Sequence, residues 1–182
     1  MIFTETPLKG SYLIEIEPIN DERGFFSRLF CEKEFKELKL NTKWVQINNS
    51  LSKSSGTLRG LHLQNKPNTE IKLIRCIKGL IWDVIVDVRL GSSTYGQWFA
   101  ETLSSKKRNM IYVPEGFAHG FISLEENSEI IYLNSEFYAP GSELTLFWND
   151  SEVSINWPIK PIYISSKDKK GISLRELKKK FN

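Results

Sequence analysis

Residues 81–88 alternate more regularly than any other stretch of the chain, and that alternation bounds the fold class. Trp82, Val84, Val86 and Val88 occupy one set of alternate positions; Ile81, Asp83, Ile85 and Asp87 occupy the other. A repeat of two belongs to a β-strand, whose successive side chains leave opposite faces. The first set is wholly apolar and asks for a core. The second set places two carboxylates where each must be solvated or paired. Arg89 and Arg75 are the candidate partners for Asp87, in a structural ion pair.

Shorter runs of the same kind recur along the chain, separated by turn clusters. Residues 11–17 read as a strand ended by Pro18, and residues 20–24 carry turn chemistry. Residues 25–30 are aromatic and extended, 32–38 suit a short helix, and 44–51 resume a strand. Further strands are expected over 98–103, 110–113, 117–124, 129–133 and 143–148. Regular short strands with little helix predict an all-β sandwich or barrel. A closed barrel is the expectation, because closure removes sheet edges and leaves a pocket in the mouth. Near the C-terminus, Ile172, Leu174, Leu177 and Phe181 recur at helical spacing, which predicts an amphipathic helix over about 171–181 that packs on the body.

At 182 residues, with no repeat, linker or low-complexity tract, one domain is expected. The formal net charge of +3 is unevenly spread. Residues 167–182 hold seven Lys or Arg against Asp168 and Glu176, so the remainder is slightly acidic. Basic and aromatic residues do not interleave there as a nucleic-acid groove requires, so the tail reads as a solvated helix face with no nucleic-acid partner. The two cysteines, Cys31 and Cys76, form neither a zinc spacing nor a disulfide framework. No basic leader with a long apolar run and no bilayer-length apolar stretch occurs, so a cytoplasmic protein without a membrane partner is expected.

The chemistry concentrates in residues 57–72, which place Arg59, His62, Gln64 and Lys72 around a Pro-Asn turn. On a strand, His62 and Gln64 share a face. A base, a proton donor and two cations converging on one pocket suit removal of a proton with negative charge appearing on a carbonyl oxygen. His62 and His119 are the only histidines, and an Asp that accepts from one ring nitrogen would raise basicity at the other. A neutral imidazole, with a pKa near ~6.5, is a usable base at neutral pH. A metal is not expected: there is no His-x-His pair, the two histidines lie in different segments, and Lys72 adds positive charge. No Gly-x-Ser-x-Gly elbow, phosphate loop or dinucleotide fingerprint appears.

Several segments together carry a resemblance. They are Asp21-Glu22-Arg23-Gly24-Phe25-Phe26, Gln46-Ile47-Asn48-Asn49-Ser50, Leu58-Arg59-Gly60-Leu61-His62-Leu63-Gln64 and Lys72-Leu73. Further along come Trp82 to Arg89, Pro114-Glu115-Gly116-Phe117-Ala118-His119-Gly120-Phe121, Tyr138-Ala139-Pro140, Trp148-Asn149-Asp150, Trp157-Pro158 and Ser166-Lys167-Asp168. In this order, over nearly the whole chain, they resemble the dTDP-4-dehydrorhamnose 3,5-epimerase family of nucleotide-sugar epimerases. The resemblance implies a cupin-type jelly roll, with a core over about 10–165 and short peripheral helices. It implies a cofactor-free isomerase acting on a nucleotide-diphosphate-linked 4-keto-6-deoxy sugar at carbons 3 and 5. His62 would be the base, oriented by Asp168. Lys72 would steady the enolate oxygen, helped by His119 paired with Asp83, and Tyr132 would return a proton from the opposite face. Arg59 and Arg23 would hold the diphosphate. Gln46, Asn48, Glu143 and Lys167 would make polar contacts to the substrate, with Phe26 and Tyr138 stacking near base or sugar. Family members are homodimers that exchange strands, so Arg23 and Phe26 would serve the neighbouring subunit's site.

One position departs from that pattern: Arg28 stands where rhamnose-pathway members usually carry Glu, which bears on the nucleobase or sugar accepted. Alone, His62, His119 and Tyr132 would read as satisfied interior residues, and Trp148 and Trp157 read as packing. A mono-epimerase on a related nucleotide sugar is the near alternative. A metal-dependent cupin and a non-catalytic sugar-binding barrel are the alternatives from other classes.

Overall fold

The computed structural model describes residues 1–181. The chain begins with β1 (Ile2–Glu5), β2 (Tyr12–Glu15), the short strands β3 (Ile19–Asp21) and β4 (Gly24–Phe26), and helix α1 (Glu32–Glu37). Then come β5 (Gln46–Ser52), β6 (Thr57–Gln64), β7 (Lys72–Lys78), β8 (Leu80–Asp87), β9 (Trp98–Ser104), β10 (Met110–Val113), β11 (Phe117–Ser123) and β12 (Ser128–Asn134). It ends with β13 (Glu143–Thr145), β14 (Tyr163–Ile164) and helix α2 (Leu174–Phe181).

Two sheets form the body. One has the order β1-β2-β10-β7-β12-β5, the other β13-β6-β11-β8-β9, with β14 added parallel to β6. Strands β3 and β4 make a separate hairpin. The result is a jelly roll of two stacked sheets, not one continuously closed barrel. Ile74, Cys76 and Ile130 of the first sheet meet Ile81, Ile85 and Phe121 of the second in a shared core. A pocket forms where this interior is lined by polar side chains instead.

Strand β8 shows why two layers form. Ile81 and Ile85 point between the sheets, whereas Trp82, Val84, Val86 and Val88 point outward against Val153, Ile155, Leu174 and Leu177. Both faces are covered, so Asp83 and Asp87 are fully buried and paired. Arg89 Nη2 donates to Asp87 at 2.7 Å, and the hydroxyls of Ser92 and Thr94 donate at 2.6 Å each. Burial alone would raise the Asp87 pKa; these donors outweigh it and hold the carboxyl at about 2.

Several boundaries differ from the sequence expectation for local reasons. The aromatic run 25–30 is a strand only to Phe26; Phe30 turns inward and packs on Phe35 and Trp44. Strand β13 stops at Thr145, and Leu146 instead bonds Leu61 and bridges to Ile172. Strands β1 and β14 are short additions at the margins of their sheets, without the strong alternation that announces a strand. Helix α2 starts at Leu174, because Ser173 and Glu176 cap each other: Ser173 Oγ accepts from the Glu176 N–H, and Glu176 Oε2 accepts from the Ser173 N–H. Asp150 Oδ2 accepts from the Leu174 N–H. Among the described residues, no helix is long and apolar enough to cross a membrane.

One seam fixes the site. A Cβ on Gly120 would lie 2.7 Å from the Arg59 carbonyl oxygen, and one on Gly60 (φ +130°) would lie 2.5 Å from Gly120 Cα. Only glycine permits this approach of β6 and β11. The same pairing sets His119 opposite His62.

Candidate active site

A cavity of about 600 Å³ opens between the sheets. The second sheet contributes Arg59 and His62 from β6 and His119 from β11; the first contributes Lys72 from β7 and Tyr132 from β12. Residues opposite each other on paired strands share a face. His62 and His119 therefore project together, and Tyr132 projects from the other sheet. The segment after β14 brings Lys167 and Asp168 to the rim.

Each imidazole is tied to a carboxylate. His62 Nε2 lies 2.6 Å from Asp168 Oδ1, and His119 Nε2 lies 2.8 Å from Asp83 Oδ2. Burial would raise the Asp168 pKa, but hydrogen bonds from His62, Ser165 and the Gly60 N–H bring it below the usual carboxylate range. An ionised carboxylate only accepts, so the His62 proton sits on Nε2 and Nδ1 is the basic nitrogen. Asp83 is different: complete burial pushes its pKa up, against the opposing pull of His119, and its Oδ1 has no partner among the described residues.

Burial also pushes the Tyr132 phenol up; Glu70 adds to the rise and Arg59 opposes it. A phenol so placed keeps its proton at neutral pH. Arg59 is held over the pocket by Nη2 donating to the Leu51 carbonyl at 3.1 Å.

A smaller chamber of about 280 Å³ shares His62, Lys72 and Tyr132 and adds Gln46, Asn48, Tyr138 and Glu143. Tyr138 Oη donates to Glu143 Oε2 at 2.9 Å, and Lys167 pairs with Glu143 Oε1. Burial would raise Glu143, but Lys167 and Tyr138 hold it below the ordinary glutamate range.

The structure thus gathers Gln46, Asn48, Arg59, His62, Lys72, His119, Tyr132, Tyr138, Glu143 and Lys167 around one connected cavity, with Asp83 and Asp168 behind the imidazoles. Arg23 and Phe26 do not join them within this chain: they sit on the exposed β3–β4 hairpin, with Arg23 paired to Asp21. Arg28 is largely exposed and lies 3.6 Å from Glu34, away from the cavity. Gln64 shares the His62 face as expected but is no proton donor to the pocket. Its amide donates to the carbonyls of Asn68 and Phe137 and accepts from the Ala139 N–H, holding two loops. Trp157 packs on Trp82 and donates to the Trp148 carbonyl.

Two polar residues went unread in the sequence. Glu70 and Asn134 line the smaller chamber, and Lys72 Nζ donates to Glu70 Oε1 at 2.5 Å. The two-residue spacing from Glu70 to Lys72 was the available signal; the contribution of Asn134 depends on the pairing of β12 with β7 and leaves none.

The sequence matches the family described as dTDP-4-dehydrorhamnose 3,5-epimerase over residues 5–176. The dTDP-4-dehydrorhamnose 3,5-epimerase of Salmonella typhimurium is 40% identical over 170 residues, covering 92% of each chain. The crystal structure of the enzyme of that name from Elizabethkingia anophelis is 42% identical with a TM-score of 0.93, covering 97% of each chain. A dTDP-6-deoxy-D-glucose-3,5-epimerase from Legionella pneumophila, solved with dTDP-4-keto-L-rhamnose, is 35% identical with a TM-score of 0.93, covering 99% of this chain and 96% of that one. Matched across nearly its whole length in both sequence and fold, this chain belongs to the dTDP-4-dehydrorhamnose 3,5-epimerase family.

Proposed function

We propose that this chain epimerises a nucleotide-diphosphate-linked 4-keto-6-deoxy sugar at carbons 3 and 5, with the dTDP-linked sugar as the first candidate. The observation that carries the reading is the placement of His62 and Tyr132 on opposing sheets of one cavity, with Lys72 between the two chambers. A ketone acidifies the C–H bonds on both flanking carbons. His62 Nδ1 takes one of those protons, and the electron pair moves into an enolate whose negative charge rests on the ketone oxygen. Lys72 and His119 donate to that oxygen, in a pocket where fixed donors stabilise charge better than water does. The Tyr132 phenol then delivers a proton to the opposite face of the same carbon, which inverts the centre. One proton is removed and one returned, no electrons leave the sugar, and the scheme requires no redox cofactor or metal.

Arg59 and Lys167 are suited to the diphosphate, and Gln46, Asn48, Tyr138 and Glu143 to the nucleoside and sugar. Arg23 and Phe26 would complete the site of a second copy in a homodimer. That reading is supported by exposed apolar residues on the hairpin and on the outer face of edge strand β5, where Phe26 is 66% and Ile47 69% exposed. A reducing, cytoplasmic setting fits two cysteines that are both free.

Proton NMR in heavy water with dTDP-, CDP- and GDP-linked 4-keto sugars tests the reading. Deuterium is expected at carbons 3 and 5 of the dTDP-linked substrate. Exchange at one centre identifies a mono-epimerase, and binding without exchange identifies a sugar-binding protein. Stoichiometric iron or manganese in the purified protein would favour a metal-dependent cupin.

A further inference from the structure

We propose that Glu70 is a positioning residue that holds the Lys72 ammonium on the reaction cavity; this rests on the functional reading above. Lys72 lines both chambers, yet its side chain is only 10% exposed. A lysine side chain is long and freely rotating, and a buried ammonium without a partner is costly. Among the described residues its hydrogen-bond partner is Glu70, at 2.5 Å.

Glu70 is in turn fixed from its other side. Asn134 Nδ2 donates to Glu70 Oε2 at 2.6 Å, and Asn134 stands directly across from Lys72 in the pairing of β12 with β7. The three side chains form a short relay: the amide of Asn134 on β12 locks the carboxylate of Glu70, which lies just before β7, and the carboxylate locks the ammonium. An ammonium has three donors, so one bond to Glu70 leaves two for the cavity. A carboxylate placed beside the ammonium also balances its charge in the resting site, so that the ammonium need not find another anion there. The arrangement differs from a surface ion pair, because Glu70 is as buried as Lys72 and lines the smaller chamber itself.

The test compares E70A, E70Q, K72A and the double variant E70A/K72A, using kcat and KM on the 4-keto substrate and thermal unfolding of each protein. E70A is expected to lower kcat roughly 10- to 100-fold with KM nearly unchanged, as for a displaced catalytic group. E70Q keeps an acceptor for Lys72 and is expected to recover most of that loss. If Glu70 acts through Lys72, E70A/K72A is no slower than K72A, since the two losses are not independent. Wild-type kcat in E70A, an E70Q no faster than E70A, or losses that multiply in the double variant would each overturn the proposal. A wild-type protein that exchanges no proton of the 4-keto sugar overturns the functional reading instead.

Discussion

An imidazole bonded through Nε2 to an ionised carboxylate has one basic nitrogen left, and this defines what His62 can do. The expected outcome for His62→Ala is loss of solvent deuterium uptake into the 4-keto sugar, with nucleotide affinity changed by less than about threefold, since the base is a transition-state contact. NMR exchange and calorimetric titration with the nucleotide diphosphate check both halves. For Tyr132→Phe, turnover is expected to fall while washout at carbon 3 or 5 partly survives, because abstraction precedes reprotonation; steady-state assays beside the NMR time course read this. Asp87 gives a residue-scale prediction about stability. Its folded pKa of about 2 lies below the ordinary 3.8, so its contribution is present above 3.8 and is lost as pH falls towards 2. By linkage a shift of that size corresponds to about 2 kcal/mol. Asp87→Asn should therefore be less stable than the wild type to urea at pH 7, and the gap should close near the acid end.

At the scale of elements, strand β8 and helix α2 depend on each other. The outward face of β8 is covered by the helix through Leu174 and Leu177, the latter wholly buried. Truncating Leu177→Ala removes that packing and leaves a cavity, at a cost of about 2–5 kcal/mol in urea unfolding. The expected loss is global, because α2 also sits next to the segment that delivers Asp168. A denaturation midpoint unchanged from wild type would show that the helix docks without contributing. The seam of Gly60 and Gly120 is the other dependence at this scale: it brings two strands close enough to set the histidines side by side.

At the scale of the whole molecule, the cavity within one chain is lined by His62, Lys72, His119 and Tyr132, while Arg23 and Phe26 lie outside it. The homodimer reading supplies them from a second copy, and complementation tests this. R23A and H62A homodimers should each be poorly active. Remixed after unfolding, half the dimers are hybrids and each hybrid holds one intact site, so about a quarter of wild-type activity is expected from the symmetry of the pairing. No recovery on remixing, with dimers confirmed by light scattering, would mean that Arg23 serves its own chain or no site.

The chain's own residues pointed to the fold class, because alternation over 81–88 and in shorter runs is the period of a strand, and the recurrence of Ile172, Leu174, Leu177 and Phe181 is close to that of a helix. The segment 57–72 places Arg59, His62 and Lys72 close together in sequence, whereas His119, Tyr132 and Asp168 join them at one cavity only through strand pairing and the return of the C-terminal segment. Stacked sheets in place of one closed barrel, full burial of Asp83 and Asp87, the diversion of Gln64 to loop contacts and the Asn134–Glu70–Lys72 relay were decided only in three dimensions. Each depends on which strand pairs with which and on what covers a face. Those choices minimise the free energy of the whole packed molecule, and no short window of sequence contains them.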